Sequence, residues 1–169
     1  MFTGLSAFPL TPVTARGVDE EGLTKILARL TAAGVDSLGI LGSTGSYAYL
    51  SREQRKRVAT LARQIAGQIP MMVCVGAMST DAVLHLAEDA QSAGADALLL
   101  PAMSYQPLRN EEVYAFYETV TRHVSVPVCV YDNPRTTHFT FTDELHGQLS
   151  SLKGIRSVKI SGVSDNPVA

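Results

Sequence analysis

Four places in this 169-residue chain carry residues that could act together on a carbonyl compound. Lys159 lies in the apolar run Ile155-Arg156-Ser157-Val158-Lys159-Ile160-Ser161-Gly162, which reads as a strand closed by a glycine turn. A charged lysine beside Val158 and Ile160 is costly in a strand covered on both faces. Burial favours a lysine's neutral form, and a neutral amine attacks a ketone to give a Schiff base. Tyr131 closes a second apolar run, Tyr105 follows a third, and Gly42-Ser43-Thr44-Gly45 follows a fourth. If these ends meet, they supply an amine, a phenol, and a cradle of hydroxyl and backbone amides. A 2-keto acid uses that set: the amine attacks the ketone, the phenol moves protons, and the amides hold the carboxylate. Each place also has a plainer reading. Lys159 could be an edge lysine reaching solvent, Tyr131 a core aromatic at a strand end, and Tyr105 a ring packed on Pro101 and Pro107. Gly42 to Gly45 could be an ordinary turn before the helix that Ser51 caps.

The elements that must position these residues alternate. Apolar runs of strand length occupy residues 4–10, 37–41, 71–75, 97–100, 126–131 and 155–160. Most are continuous rather than alternating, as in parallel strands buried on both faces. Helical patterns fill the gaps at 20–33, 51–66, 80–93, 110–123 and 142–150. Ser51-Arg52-Glu53-Gln54 is a capping box, and Leu23, Ile26, Leu27 and Leu30 form one apolar helix face. Ala32-Ala33-Gly34-Val35-Asp36 is echoed by Ser92-Ala93-Gly94-Ala95-Asp96, each ending a helix on glycine before a strand. A doubly wound open sheet would typically carry a Gly-x-Gly-x-x-Gly or Walker-type loop, and Gly42-Ser43-Thr44-Gly45 has neither spacing. The pattern predicts an α/β fold, a (β/α)₈ TIM barrel truncated after about six βα units, as one partial barrel domain over residues 1–169. Its first and sixth strands would be open edges.

Composition limits the function classes. Hydrophobic residues make up 46% and charged residues 18%, the balance of a compact soluble domain. A net charge of −2 gives no electrostatic case for nucleic acid or an anionic membrane. No apolar stretch reaches the length of a membrane span, and Met1-Phe2-Thr3-Gly4-Leu5 lacks the basic and apolar regions of a signal peptide. A cytoplasmic location follows as the expectation. Cys74 and Cys129 sit in apolar strand runs and read as small buried hydrophobes. His85, His123, His138 and His146 show no metal-ligand spacing, so no metal is expected.

Taken together, the motifs resemble the dihydrodipicolinate synthase / N-acetylneuraminate lyase family of Schiff-base aldolases. Gly4-Leu5-Ser6-Ala7-Phe8-Pro9-Leu10-Thr11-Pro12 resembles the family's first strand with its Thr-Pro end. Gly42-Ser43-Thr44-Gly45-Ser46 resembles its Gly-x-Thr-Gly-Glu loop, and Tyr131-Asp132-Asn133-Pro134-Arg135-Thr136-Thr137 its Tyr-Asn-x-Pro-x-x-Thr segment. Val158-Lys159 resembles its (Ile/Val)-Lys pair.

The resemblance implies Lys159 as the imine-forming lysine and Tyr131 as the proton shuttle near its nitrogen. It implies that Ser43 and Thr44, in the loop closed by Gly45, bind the keto-acid carboxylate through their amides. Tyr105 falls where many family members reach into a neighbouring subunit's site, which implies a homo-oligomer. The substrates implied are pyruvate or a related 2-keto acid and an aldehyde, with no cofactor beyond the covalent imine. The chain departs from the family pattern at several positions. Ser46 replaces a glutamate, Asp132 an asparagine, and His138 a glycine, while the second-substrate arginine of the synthases matches Thr136, with Arg135 adjacent. Lys159-Ile160-Ser161-Gly162 is one residue shorter to its glycine. The competing reading is a catalytically inactive barrel fragment whose open edges serve as an assembly module.

Overall fold

A computed structural model describes residues 2–160 of the chain. Six strands form one parallel sheet: β1 (Ser6–Ala7), β4 (Ser37–Ile40), β5 (Met71–Cys74), β6 (Ala97–Pro101), β7 (Val128–Asp132) and β8 (Ile155–Ile160), paired in that order. Helices α1 (Glu20–Ala32), α2 (Arg52–Ala66), α3 (Thr80–Ser92), α4 (Asn110–His123) and α6 (Asp143–Ser150) cross between them. This strand–helix alternation bends the sheet into a half-barrel. Residues in register across parallel strands point the same way. One row therefore joins Cys74, Leu99, Cys129 and Ser157, and the next joins Pro101, Tyr131 and Lys159. Between these rows, Leu38, Ile40, Val73, Leu98, Leu100, Val128 and Val130 face the helices and are fully buried.

Local chemistry sets the boundaries. Ser51 and Gln54 form the expected capping box at α2, and the side chains of Asp19, Ser79 and Thr142 accept from the first turns of α1, α3 and α6. The two echoed junctions are identical in form. The Val35 and Ala95 amides bond back to Leu30 and Ala90, the Gly34 and Gly94 amides to Thr31 and Gln91. Both glycines are left-handed, at φ 72° and 89°. This is a Schellman end, which turns each chain sharply into the following strand.

Two expectations are refined and one element is new. The first strand, expected over 4–10, pairs only at Ser6–Ala7; Gly4 is left-handed at φ 74°, and Pro9 lacks a ladder donor. A small antiparallel hairpin, β2 (Val13–Thr14) and β3 (Gly17–Val18), escapes the periodicity because each strand is two residues long. The second refinement concerns β8, whose apolar run reads as a buried strand but whose edge is expected to be open. Its Val158 and Ile160 are 44% and 49% exposed, although α6 residues His146 and Leu149 border the same pocket as Val158. Among the described residues, β1 and β8 are the edge strands of the sheet. The glycine turn expected at Gly162 lies outside the described residues.

Candidate active site

Lys159 and Tyr131 are register partners on β8 and β7. The Lys159 Nζ lies 4.5 Å from the centre of the Tyr131 ring and 4.9 Å from that of Phe8. Two aromatic faces hold the amine's position electrostatically without bonding its nitrogen. Phe8 reaches this place because Gly39 has no side chain. A Cβ there would stand 2.1 Å from the Phe8 ring, and one on Gly42 would stand 3.0 Å away. Lys159 is half-buried rather than sealed in a covered strand, with its neighbours Val158 and Ile160 turned to the exposed outer face.

The loop after β4 brings the hydroxyl. Leu41 and Ser46 are both left-handed, at φ 60° and 58°, so the chain doubles back over residues 41–46. Gly45 packs on the Leu41 backbone so closely that a Cβ would lie 2.9 Å from the Leu41 Cα. The turn places Ser43 Oγ 3.1 Å from the phenol oxygen of Tyr131, across 88 residues of sequence. Among the described residues, no acceptor takes the amide hydrogens of Ser43 or Thr44. Those two amides belong to the same turn that carries Ser43 Oγ to the phenol.

Arg55 ties α2 to the end of β5. It is buried on α2 and donates from Nη1 to the Gly76 carbonyl and from Nη2 to the Cys74 carbonyl, each at 2.9 Å. Its guanidinium lies 5.5 Å from the centre of the Tyr47 ring, and Tyr47 in turn donates to Met103 Sδ at 2.8 Å. Burial first, then the neighbouring Cys74 and Tyr131, pushes the Tyr47 phenol far above its usual range. Burial likewise pushes the Cys74 thiol up to about 11 and raises that of Cys129. These groups stay protonated at neutral pH. A separate cavity of about 410 Å³ is lined by Tyr47, Arg55, Met78, His85 and Met103, and neither Tyr131 nor Lys159 borders it.

The expected site residues therefore divide. Lys159, Tyr131 and Ser43 converge, and Thr44 and Gly45 adjoin them in the same turn. Tyr105 does not join them: it stands 93% exposed between β6 and α4. The departures also acquire places. Asp132 points away from Tyr131 and meets His146 Nε2 on α6 at 3.1 Å. His138 adopts φ 60°, the left-handed conformation that favours glycine. Arg135 and Thr136 are exposed on the short helix α5 (Pro134–Thr137). Two residues of the cluster were not singled out from sequence. Phe8 carries no chemical signal. Asn133 carried one, since two positions along a strand is the same face as Tyr131.

Known proteins share this half-barrel. A family model described as the dihydrodipicolinate synthetase family matches residues 1–165. The chain is 31% identical over 160 residues to the 4-hydroxy-tetrahydrodipicolinate synthase of Phenylobacterium zucineum, covering 94% of this chain and 54% of that one. It is similar to the crystal structure of a dihydrodipicolinate synthase from Agrobacterium tumefaciens, at 48% identity and TM-score 0.93, over 97% of this chain and 56% of that chain. A prophage protein of the dihydrodipicolinic acid synthase family from E. coli, solved in complex with pyruvate, is 30% identical with TM-score 0.89. That likeness covers 94% of this chain and 54% of the prophage protein. The chain spans about half the length of the curated relatives it matches. With its match to the family model running from residue 1 to residue 165, the chain belongs to the dihydrodipicolinate synthetase family.

Proposed function

We propose that this chain carries the imine-forming site of a Schiff-base lyase or aldolase acting on pyruvate or a related 2-keto acid. The observation that carries the reading is the meeting of the Lys159 amine, the Tyr131 phenol and the Ser43 hydroxyl at one end of the sheet. In the proposed reaction Lys159 Nζ adds to the C2 carbonyl, the oxygen takes one proton from the adding amine to give a carbinolamine, and a second proton delivered through Tyr131 lets it leave as water and gives the iminium. The Ser43 and Thr44 amides hold the carboxylate meanwhile. Loss of a C3 proton converts the iminium to an enamine, and C3 then bonds to an aldehyde carbon. Hydrolysis returns the amine. Run backwards, the same steps cleave that bond and release the keto acid. The iminium is itself the electron sink, so the scheme uses no metal or organic cofactor. Tyr105, exposed and outside the cluster, is proposed to act in the site of a second copy in a homo-oligomer. No step involves nucleic acid or membrane, and among the described residues no helix is long and apolar enough to cross a membrane.

Borohydride reduction with pyruvate present, followed by intact mass and peptide mapping, tests the reading. The expected result is one pyruvate-derived adduct, on Lys159, absent from Lys159→Ala. Adduct persisting in that variant would remove Lys159 from the scheme. A cooperatively unfolding sample that forms none with pyruvate or other 2-keto acids would leave the assembly module, which the exposed Val158 and Ile160 of β8 favour.

A further inference from the structure

The Tyr131 phenol has a second partner besides Ser43. Asn133 Nδ2 donates to the phenol oxygen at 3.0 Å. The two side chains share a face because they are two residues apart at the end of β7. Asn133 is 7% exposed, and its backbone is fixed where the strand gives way to α5. Its carbonyl accepts the amides of Thr136 and Thr137, both at 3.0 Å, and the hydroxyls of Thr136 and Thr137 at 3.3 and 3.1 Å. Pro134 follows and restricts the Asn133 backbone further. The amide therefore springs from a point with little freedom to move away from the phenol.

We infer that Asn133 is a positioning residue for the Tyr131 proton shuttle: its amide N–H occupies one lone pair of the phenol oxygen and so directs the phenol's single hydrogen towards Ser43 Oγ or a reacting group beside Lys159. The inference rests on the proposed imine chemistry and deepens it. An amide nitrogen can only donate, whereas a hydroxyl both donates and accepts. With Asn133 donating, the phenol keeps its hydrogen free for the relay. A carboxylate in the same place reverses this, since it can only accept and would take that hydrogen itself.

The test uses two variants of the full chain, Asn133→Asp and the similarly sized Asn133→Leu, each checked for cooperative unfolding. Tyrosine labelled with ¹³C at Cζ reports the hydrogen bonding of each phenol, and Tyr131→Phe identifies the Tyr131 signal. Both variants are expected to shift that signal at neutral pH. In the borohydride assay with pyruvate, the trapping rate is expected to fall in the order Asn133, Leu, Asp. The aspartate variant should lose about tenfold or more, less than the roughly 10²-fold or greater loss of the acid–base group itself, with little change in the pyruvate concentration giving half the maximal rate. A residue that only stabilised the fold would move the melting temperature but not the resonance. An unmoved Tyr131 signal in folded variants, or an Asn133→Asp chain that traps as fast as the parent, would overturn the inference. If the parent chain traps no keto acid, the imine reading falls. The resonance alone then decides whether Asn133 positions the phenol.

Discussion

Two side chains from distant parts of the chain, Ser43 and Lys159, meet the ring of Tyr131, and each has a separate place in the proposed reaction. Tyr131→Phe keeps the ring against Lys159 and removes only the hydroxyl. It is expected to slow imine formation by roughly 10²- to 10⁴-fold, the usual range for a general acid–base group, measured as the single-turnover trapping rate. An unchanged rate would take Tyr131 out of the relay. Gly39→Ala tests the aromatic platform instead. The new methyl would enter the Phe8 ring, so Phe8 must leave the Lys159 amine. The expected outcome is slower trapping together with a lower melting temperature, while Ser43 and Tyr131 remain in contact. Lys159 and Tyr131 were legible from residue type and from the order of motifs. For Asn133 the spacing showed only that it shares the Tyr131 face; its bond to the phenol depends on the conformation at the end of β7.

Between elements, the clearest electrostatic joint is the clamp of α2 onto α3. Asp89 is buried on α3 and meets Arg52 Nε at 2.5 Å and Lys56 Nζ at 3.1 Å. The hydrogen bond from Arg52, followed by that from Lys56, holds the Asp89 carboxyl below its ordinary value against the opposing effect of burial. A carboxyl depressed in the folded state adds stability above its unfolded value, near pH 4, and loses it as pH falls through the folded value. Asp89→Asn is therefore expected to lower the melting temperature at pH 7 and to flatten its decline below about pH 4. Parallel pH profiles for parent and variant would contradict this. Helix ends offer a second test. Gly34 has open space where a Cβ would go, so Gly34→Ala isolates the cost of its φ of 72°. That cost is about 1–2 kcal/mol in denaturant unfolding. Helices, caps and the paired Schellman ends were readable because each depends on neighbours within about six residues. The β2–β3 hairpin and the shortness of β1 were not, since two-residue strands carry no period.

At the scale of the whole molecule, the described sheet ends on the edge strands β1 and β8, and Val158 and Ile160 on the outer face of β8 meet solvent. Exposed apolar strand faces of this kind drive association. Val158→Thr with Ile160→Thr is expected to reduce concentration-dependent association in sedimentation velocity, while leaving the Lys159 side of the strand unaltered. Equal association in parent and variant would place the contact elsewhere. The sequence by itself determined the alternation of strands and helices, the partial barrel, the family, and the candidate amine and phenol. Those features follow from local periodicity, capping and the order of short motifs, all carried along the chain. Only the tertiary structure decided that Ser43 reaches a phenol 88 residues away, that Phe8 lies over Gly39, and that Tyr105 stands apart. Strand register and sheet curvature arise from packing between segments far apart in sequence, and no local pattern encodes them.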